Sequence, residues 1–166
     1  MSRYHKILKA DIGNFNGFRV SVWLSGCRRH CEGCFNPQAW PFDSGKLFDD
    51  VALKKIEKEL KHEWCRGVSI LGGEPLEPEN LEATKDISAL AKRLEKDVAL
   101  WTGFYLEDLD EAQRDALRDV DYLVDGPFIE ELKDTSLLWR GSSNQRIWRK
   151  VDNIWTIIDD LVQEAH

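Results

Sequence analysis

Short apolar runs alternate with longer amphipathic stretches along most of the chain. The run Phe18–Leu24 is β-branched and aromatic and alternates in part, which predicts a strand. Beyond it, a helix capped by Asp49 is predicted to reach about His62, because apolar residues recur there at i, i+4 and i+8. This first third of the chain therefore predicts a strand followed by a helix.

The same alternation continues toward the C-terminus. Three further apolar runs predict strands over residues 67–71, 98–101 and 122–124. Between them, one helix is predicted from near Pro78 or Glu79 to about Leu94, and another over roughly residues 109–118. A last amphipathic helix is predicted in the tail from the spacing of Ile154, Ile158, Leu161 and Val162.

Strands that alternate with amphipathic helices form right-handed βαβ units and a parallel sheet. We therefore predict an α/β fold in one domain over residues 1–166, with a core at about 4–148 and a tail at about 149–166. Ligands bind such sheets beyond the carboxyl ends of the strands. Each unusual short segment follows a predicted strand, which indicates one shared site: the cysteine-rich residues 27–34, Gly72–Pro75, Thr102–Gly103 and Asp125–Pro127.

Three cysteines with the spacing C-x3-C-x2-C lie in a short polar segment, at Cys27, Cys31 and Cys34. Three thiolates can hold an iron–sulfur cluster and leave one iron open for chemistry. A zinc site is the main alternative, and its fourth ligand would come from His30, Cys65, His5 or His62. The spacing favours the cluster, because zinc motifs usually combine paired C-x2-C or C…H sets. Cys65 is interpreted as a free, half-buried thiol.

The composition indicates the cellular compartment of the protein and the classes of partner it can bind. The chain is 42% hydrophobic and 32% charged, as is usual for a soluble globular domain. Its net charge is -7 and it has no basic tract, which makes nucleic acid a poor partner. It shows no signal peptide and no apolar run long enough to cross a membrane, so we expect a cytoplasmic protein with reduced thiols and no membrane partner.

The segment Gly72-Gly73-Glu74-Pro75 follows a predicted strand directly. Paired glycines let a ligand approach the backbone without interference from a Cβ atom. The carbonyls there, together with the Glu74 carboxylate, form an acceptor-rich spot suited to an ammonium group. A simple strand-to-helix turn is the alternative interpretation, but it is weakened by the three-cysteine segment one βαβ unit earlier.

With these two motifs, the chain resembles the radical S-adenosylmethionine (SAM) enzymes. More narrowly, it resembles the family of activating proteins of anaerobic (class III) ribonucleoside-triphosphate reductases over roughly residues 4–148. The narrower resemblance is carried by residues 22–27, 34–36, 101–103, 123–126 and, above all, the run Trp-Arg-Gly-Ser-Ser-Asn-Gln at 139–145.

This resemblance implies an open, partial βα barrel of parallel strands with flanking helices. It implies a [4Fe–4S] cluster on Cys27, Cys31 and Cys34, with SAM bound to the fourth iron. As a radical SAM oxidoreductase, the protein would use the reduced cluster to cleave SAM to a 5′-deoxyadenosyl radical. That radical would abstract hydrogen from a glycine of the reductase, the protein substrate. A low-potential electron donor such as flavodoxin is the second implied partner, and no side chain is expected to act as a catalytic group.

The resemblance also assigns contacts to SAM. It places Gly33, Cys34 and Phe35 against SAM, and Gly73, with its neighbours Gly72 and Glu74, at the SAM amino group. Thr102 and Asp125 would reach the ribose or the methionyl part. The run from Arg140 to Gln145 is interpreted as a surface loop that closes the site or touches the partner, and Arg28 and Arg29 as a solvated loop face or an acidic-partner contact.

Other functions remain open at this point. The chain could activate a different glycyl radical enzyme, or act on a small molecule as a radical SAM enzyme. It could also be a non-enzymatic zinc- or cluster-binding module for a protein partner. The Gly-Gly-Glu-Pro turn argues against the module, which has no use for it, and the short chain argues for a protein substrate.

Overall fold

A computed structural model describes residues 1–158 of the chain. Within this range, eight strands form one sheet in the order β3-β1-β2-β4-β5-β6-β7-β8. The strands are β1 (Arg3–Asp11), β2 (Phe18–Leu24), β3 (Lys46–Leu47), β4 (Cys65–Gly72), β5 (Asp97–Trp101), β6 (Tyr122–Asp125), β7 (Arg146–Val151) and β8 (Ile154–Ile157).

The four predicted strands are confirmed as the centre of the sheet. Strands β2, β4, β5 and β6 pair in parallel, so that Trp23 lies opposite Leu71 and Trp101 lies opposite Val124. The sheet as a whole is mixed, because β1, β3, β7 and β8 add antiparallel pairs at its two sides. The expected parallel sheet is therefore its central part.

The three predicted helices are also confirmed, with shifted ends. Helix α1 (Asp50–Leu60) begins where the Asp49 side chain accepts a hydrogen bond from the Ala52 amide. Helix α2 (Leu81–Arg93) begins after a single 3-10 turn, Pro78–Asn80, and so starts later than predicted. Helix α3 (Glu111–Ala116) is shorter than predicted, and a capping box of Asp110 and Gln113 fixes its start.

The helices cover one face of the sheet and bury the main apolar core. Alternate strand residues such as Val22, Ile70 and Leu100 pack there against Ile56 and Ile87, all without solvent exposure. A second, smaller cluster lies apart from it, formed by Phe15, Ala99, Val124 and Ile147, with Trp101, Tyr122, Trp139 and Ile158 packed against it.

The tail differs from the prediction. Residues 154–157 form strand β8 instead of a helix, and they pair with β7 as the edge of the sheet. The helical prediction is thus wrong for Ile154, while Leu161 and Val162 lie outside the described residues. Strand β7 also runs across the core boundary placed at residue 148. In the described range, no helix is long and apolar enough to cross a membrane.

Candidate functional site

The cysteine segment continues directly from the carboxyl end of β2. Its start is fixed by backbone hydrogen bonds, since the amides of Gly26 and Cys27 donate to the carbonyls of Ala39 and Trp40 at 2.7 and 2.9 Å. At its end, the Asn36 amide lies 3.4 Å from Cys34 Sγ and donates to it. These contacts fold residues 25–40 back on themselves and hold the three cysteines beyond the sheet.

One pocket of about 130 Å³ brings the sequence motifs together at the carboxyl ends of the central strands. The predicted site residues that line it are Cys27, Cys31, Cys34, Phe35, Gly72, Gly73, Glu74 and Thr102. Gly33 and Asp125 are not among the lining residues. The convergence of separate segments on one site, expected from strand order, is therefore observed.

The glycine pair after β4 makes close backbone approaches possible. A Cβ atom on Gly73 would lie 2.5 Å from the carbonyl oxygen of Gly26 and 2.9 Å from that of Ala39. Gly72 has a φ of +126°, which side chains rarely adopt. The Gly73 backbone thus lies directly under the start of the cysteine segment, so any larger residue at 73 would also displace that segment.

Glu74 is buried and ties two loops of the pocket together. Its carboxylate accepts hydrogen bonds from the Thr102 hydroxyl, the Gly103 amide and the Leu76 amide, at 2.7 to 2.9 Å. Burial outweighs these bonds and raises the pKa of Glu74 to about 7. The carboxyl group thus holds the loop after β4 against the loop after β5.

Asp125 is wholly buried at the end of β6, and its carboxylate is engaged by protein groups. Oδ2 accepts from the Leu106 amide at 2.7 Å and from Arg146 Nη2 at 2.6 Å, and Oδ1 accepts from Arg146 Nε at 3.1 Å. These bonds anchor the loop after β5 to β7. A contact between Asp125 and a ligand stays a prediction.

The run from Arg140 to Gln145 is tied into the fold. Gln145 Oε1 accepts from the amides of Gly141 and Ser142, while Gln145 Nε2 donates to the Gly126 carbonyl at 3.0 Å. Asn144 Nδ2 donates to the Pro127 carbonyl at 2.8 Å. Gln145 also lines the pocket, so this run forms part of its wall.

Sequence reasoning gave several residues of the pocket wall no contact in the site. Trp40, Trp101 and Phe128 give the pocket aromatic walls, and Arg29 adds a cation over the Phe104 ring, at 5.0 Å from its centroid. Trp40 lies outside every motif, and its ring stacks on His30 at 4.3 Å. Only its proximity in sequence to the cysteines could have indicated it.

The three thiols fit an iron–sulfur cluster by their placement. Cys27, Cys31 and Cys34 all line the same pocket, and each thiolate of such a cluster binds its own iron. Burial raises the pKa of the Cys27 thiol, so metal binding has to displace a proton that the protein wall favours. Among residues 1–158, no three His, Cys, Asp or Glu side chains are grouped closely enough to hold one metal ion. Cys65 is buried at the start of β4, at the opposite end of that strand from Gly72.

Comparison with known proteins gives a consistent result. Residues 14–148 match the family described as a 4Fe-4S single cluster domain. An anaerobic ribonucleoside-triphosphate reductase-activating protein of Haemophilus influenzae is 41% identical over 150 residues, which cover 88% of this chain and 97% of the relative. Proteins of the same name from Enterobacteria phage T4 and Escherichia coli K12 are 37% and 39% identical, over 92% and 86% of this chain and 97% and 95% of their own lengths.

Proposed function

Because this chain belongs to the 4Fe-4S single cluster domain family, and within it to the anaerobic ribonucleoside-triphosphate reductase-activating proteins, we propose that it activates such a reductase by radical SAM chemistry. The protein would be a radical SAM oxidoreductase that installs a glycyl radical on the reductase. The observation that carries the proposal is the single pocket where three cysteines meet Gly72 and Gly73.

Cys27, Cys31 and Cys34 would hold a [4Fe–4S] cluster in this pocket. When bound, the cluster supplies one electron that breaks a C–S bond of SAM, and the radical formed removes hydrogen from a glycine of the reductase. Three cysteines would ligate three irons and would leave the fourth iron open to SAM. The protein's share is to bind, orient and shield these groups.

The chain's own residues support SAM binding in distinct ways. Gly72 and Gly73 bring backbone to the pocket, where carbonyl oxygens can accept from an ammonium group. Phe35 is 85% exposed at the pocket and offers a ring for the adenine. Thr102 positions the Glu74 carboxyl group by hydrogen bonding. Contacts of Gly33 with SAM, and of Asp125 with its ribose or methionyl part, belong to the same proposal.

The parallel strands and the helices on one face of the sheet support the proposal. Four parallel strands with helices on one face form the central part of what we propose is an open, partial βα barrel. Trp40, Trp101, Phe128 and Gln145 form part of the pocket wall. The glycine segment of the reductase would complete the cavity and exclude water, in a cytoplasmic complex.

The proposal is tested with anaerobically reconstituted protein. With dithionite as reductant, SAM should be converted to 5′-deoxyadenosine and methionine, measured by chromatography. Addition of the anaerobic reductase should give a glycyl doublet by EPR. SAM cleavage without a doublet would favour a different glycyl radical enzyme or a small-molecule substrate. A chain that binds zinc but builds no cluster would instead be a binding module.

A further inference from the structure

A cluster of lysines lies on the molecule away from the pocket, on the side where β1 meets α1. It lines a concave surface of about 380 Å³, which we call the lysine surface. Its positive side chains are Lys6, Lys9, Lys46, Lys55 and Lys58, joined by the imidazole of His5. In a chain with a net charge of -7, this concentration of one sign needs an explanation.

The charge of the lysine surface is largely uncompensated. Within the described chain, Glu59 is the one carboxylate that lines it, and Glu59 is buried and paired with Lys9 at 3.5 Å. The ammonium groups of Lys46, Lys55 and Lys58 make no ion pair with any carboxylate in residues 1–158. All three side chains are exposed. They therefore present an open positive field to an approaching partner.

Backbone contacts link one end of the lysine surface to the start of the cysteine segment. Lys46 in β3 pairs with Tyr4 of β1, and the Ser25 amide donates to the Arg3 carbonyl at 2.8 Å, two residues before Cys27. Residues 42–46 connect the lysine surface to a second concave surface, which we call the groove. That groove of about 490 Å³ is lined by Cys27, Pro37, Trp40, Pro41 and Phe42, together with Arg28 and His30.

The groove and the pocket share Cys27 and Trp40, whereas Gly72, Gly73 and Thr102 line only the pocket. A partner on the groove and the lysine surface would therefore approach a cluster ligand while the pocket holds SAM and the reductase glycine. Short-lived electron-transfer complexes are expected to make a small apolar contact beside the redox group, and charged residues around that contact steer the partner. The groove and the lysine surface provide these two parts.

We propose that the lysine surface, with the adjoining groove at Cys27, is the docking site for an acidic one-electron donor protein. This inference rests on the proposed function, which requires one electron for each SAM cleaved. One electron leaves the donor, which is oxidised, and enters the cluster held by Cys27, Cys31 and Cys34, which is reduced. No bond in this chain forms or breaks, and no proton moves.

The type of cation favours an acidic protein over a phosphate ligand. The positive groups are lysines, which act as hydrated point charges, whereas arginine forks are preferred for bidentate phosphate contacts. Lysine charges steer a carboxylate-rich partner and release it readily, because they impose no fixed geometry. A donor that must leave after each electron fits such a surface.

The test compares two triple variants with equal loss of charge. The first carries Lys46→Gln, Lys55→Gln and Lys58→Gln on the lysine surface. The matched control carries Lys54→Gln, Lys61→Gln and Lys133→Gln, at exposed positions that do not line it. The probe is an acidic flavodoxin, with its binding measured by calorimetry at low and at high ionic strength. Stopped-flow absorbance would follow cluster reduction by reduced flavodoxin and, separately, by dithionite.

The surface variant should bind flavodoxin about tenfold more weakly at low ionic strength and show a smaller salt dependence. Its reduction by flavodoxin should slow by a similar factor, while reduction by dithionite stays unchanged. The proposal is overturned if the surface variant binds flavodoxin as tightly as the parent protein, or if the control variant loses as much affinity. It is also overturned if the surface variant loses affinity for the reductase and keeps its affinity for flavodoxin. SAM cleavage driven by dithionite in the parent protein tests the proposed function separately.

Discussion

The hydroxyl of Thr102 donates a hydrogen bond to Glu74 Oε2 at 2.8 Å, and so joins the end of β5 to the loop after β4. The next amide, that of Gly103, donates to the other carboxyl oxygen at 2.7 Å. Two loops that lie 28 residues apart in sequence are thus held in one arrangement by a single buried side chain. Both loops line the candidate pocket, so its shape depends on Glu74.

Glu74 should make the stability of the metal-free chain depend on pH. Burial raises its pKa from 4.5 to about 7, so the folded chain binds this proton more tightly than the unfolded chain. The contribution is full below pH 4.5 and is lost as the pH rises through about 7, by at most about 3 kcal/mol. Urea unfolding across this range should show it as a falling free energy of unfolding.

Two variants check this assignment. Glu74→Gln should flatten the decline between pH 4.5 and about 7. Glu79→Gln is the control, because a hydrogen bond from Arg28 lowers the pKa of Glu79 to about 2, and its titration therefore lies below this range. An equal slope in Glu74→Gln and in the parent protein would assign the decline to other groups.

Asp125→Asn should destabilise the fold strongly. Asp125 is fully buried and accepts from Arg146 and the Leu106 amide, so the substitution leaves Arg146 without its buried partner. We expect a loss of about 2 to 4 kcal/mol in the free energy of unfolding by urea. The control Glu107→Gln removes the exposed partner of the same arginine and should cost much less, because solvent screens that ion pair. Equal losses would contradict the assigned role.

The centre of the fold was predictable because its strands are buried on both faces. Runs such as residues 67–71 and 98–101 are apolar apart from Ser69, and an amphipathic helix separates them. The outer strands gave no such signal. Strand β1 has the sequence RYHKILKAD, in which exposed charged residues interrupt the apolar pattern, as is common at sheet edges. Ile154 and Ile158 suggested a helix, since their spacing of four residues matches both the helical and the strand period.

The site was predictable where a backbone requirement or a ligand type left a pattern in the sequence. Cysteine spacing and paired glycines are such patterns, and the structure places these residues on one pocket. The partners of Asp125 were not predictable, because Arg146 lies 21 residues away and reaches it only through the antiparallel pairing of β6 and β7. Trp40 and Phe128 likewise reach the pocket through loop geometry that no periodicity encodes.

Cysteine substitutions should separate the cluster ligands from the remaining thiol. Changing Cys27, Cys31 or Cys34 to Ala should abolish the cluster, whereas Cys65→Ala should keep about four irons per chain. The reason is placement, since Cys65 is buried beside the Gly67 carbonyl and does not line the pocket. Iron analysis and visible absorbance after anaerobic reconstitution provide the measurement. Loss of iron in Cys65→Ala would refute the three-ligand assignment.

Gln145→Ala should weaken SAM binding without removing the cluster. Gln145 holds the amides of Gly141 and Ser142 through Oε1 and the Gly126 carbonyl through Nε2, and it lines the pocket. Its loss removes one of the side-chain bonds between residues 139–145 and the loop after β6, while Asn144 Nδ2 still donates to the Pro127 carbonyl. Removing these bonds should raise the dissociation constant for SAM about tenfold, which corresponds to about 1.4 kcal/mol.

The matched control is Ser143→Ala, because Ser143 is exposed and its backbone amide, which donates to the Leu132 carbonyl, is retained. Calorimetry on the reconstituted proteins would give the SAM affinities, and iron content would show that the cluster is intact. Gln145→Glu keeps the acceptor oxygen but loses the donor to Gly126, so its affinity should lie between those of Gln145→Ala and the parent. If Gln145→Ala binds SAM as tightly as the parent protein, then Gln145 supports the fold of residues 139–145 but does not contribute to SAM binding.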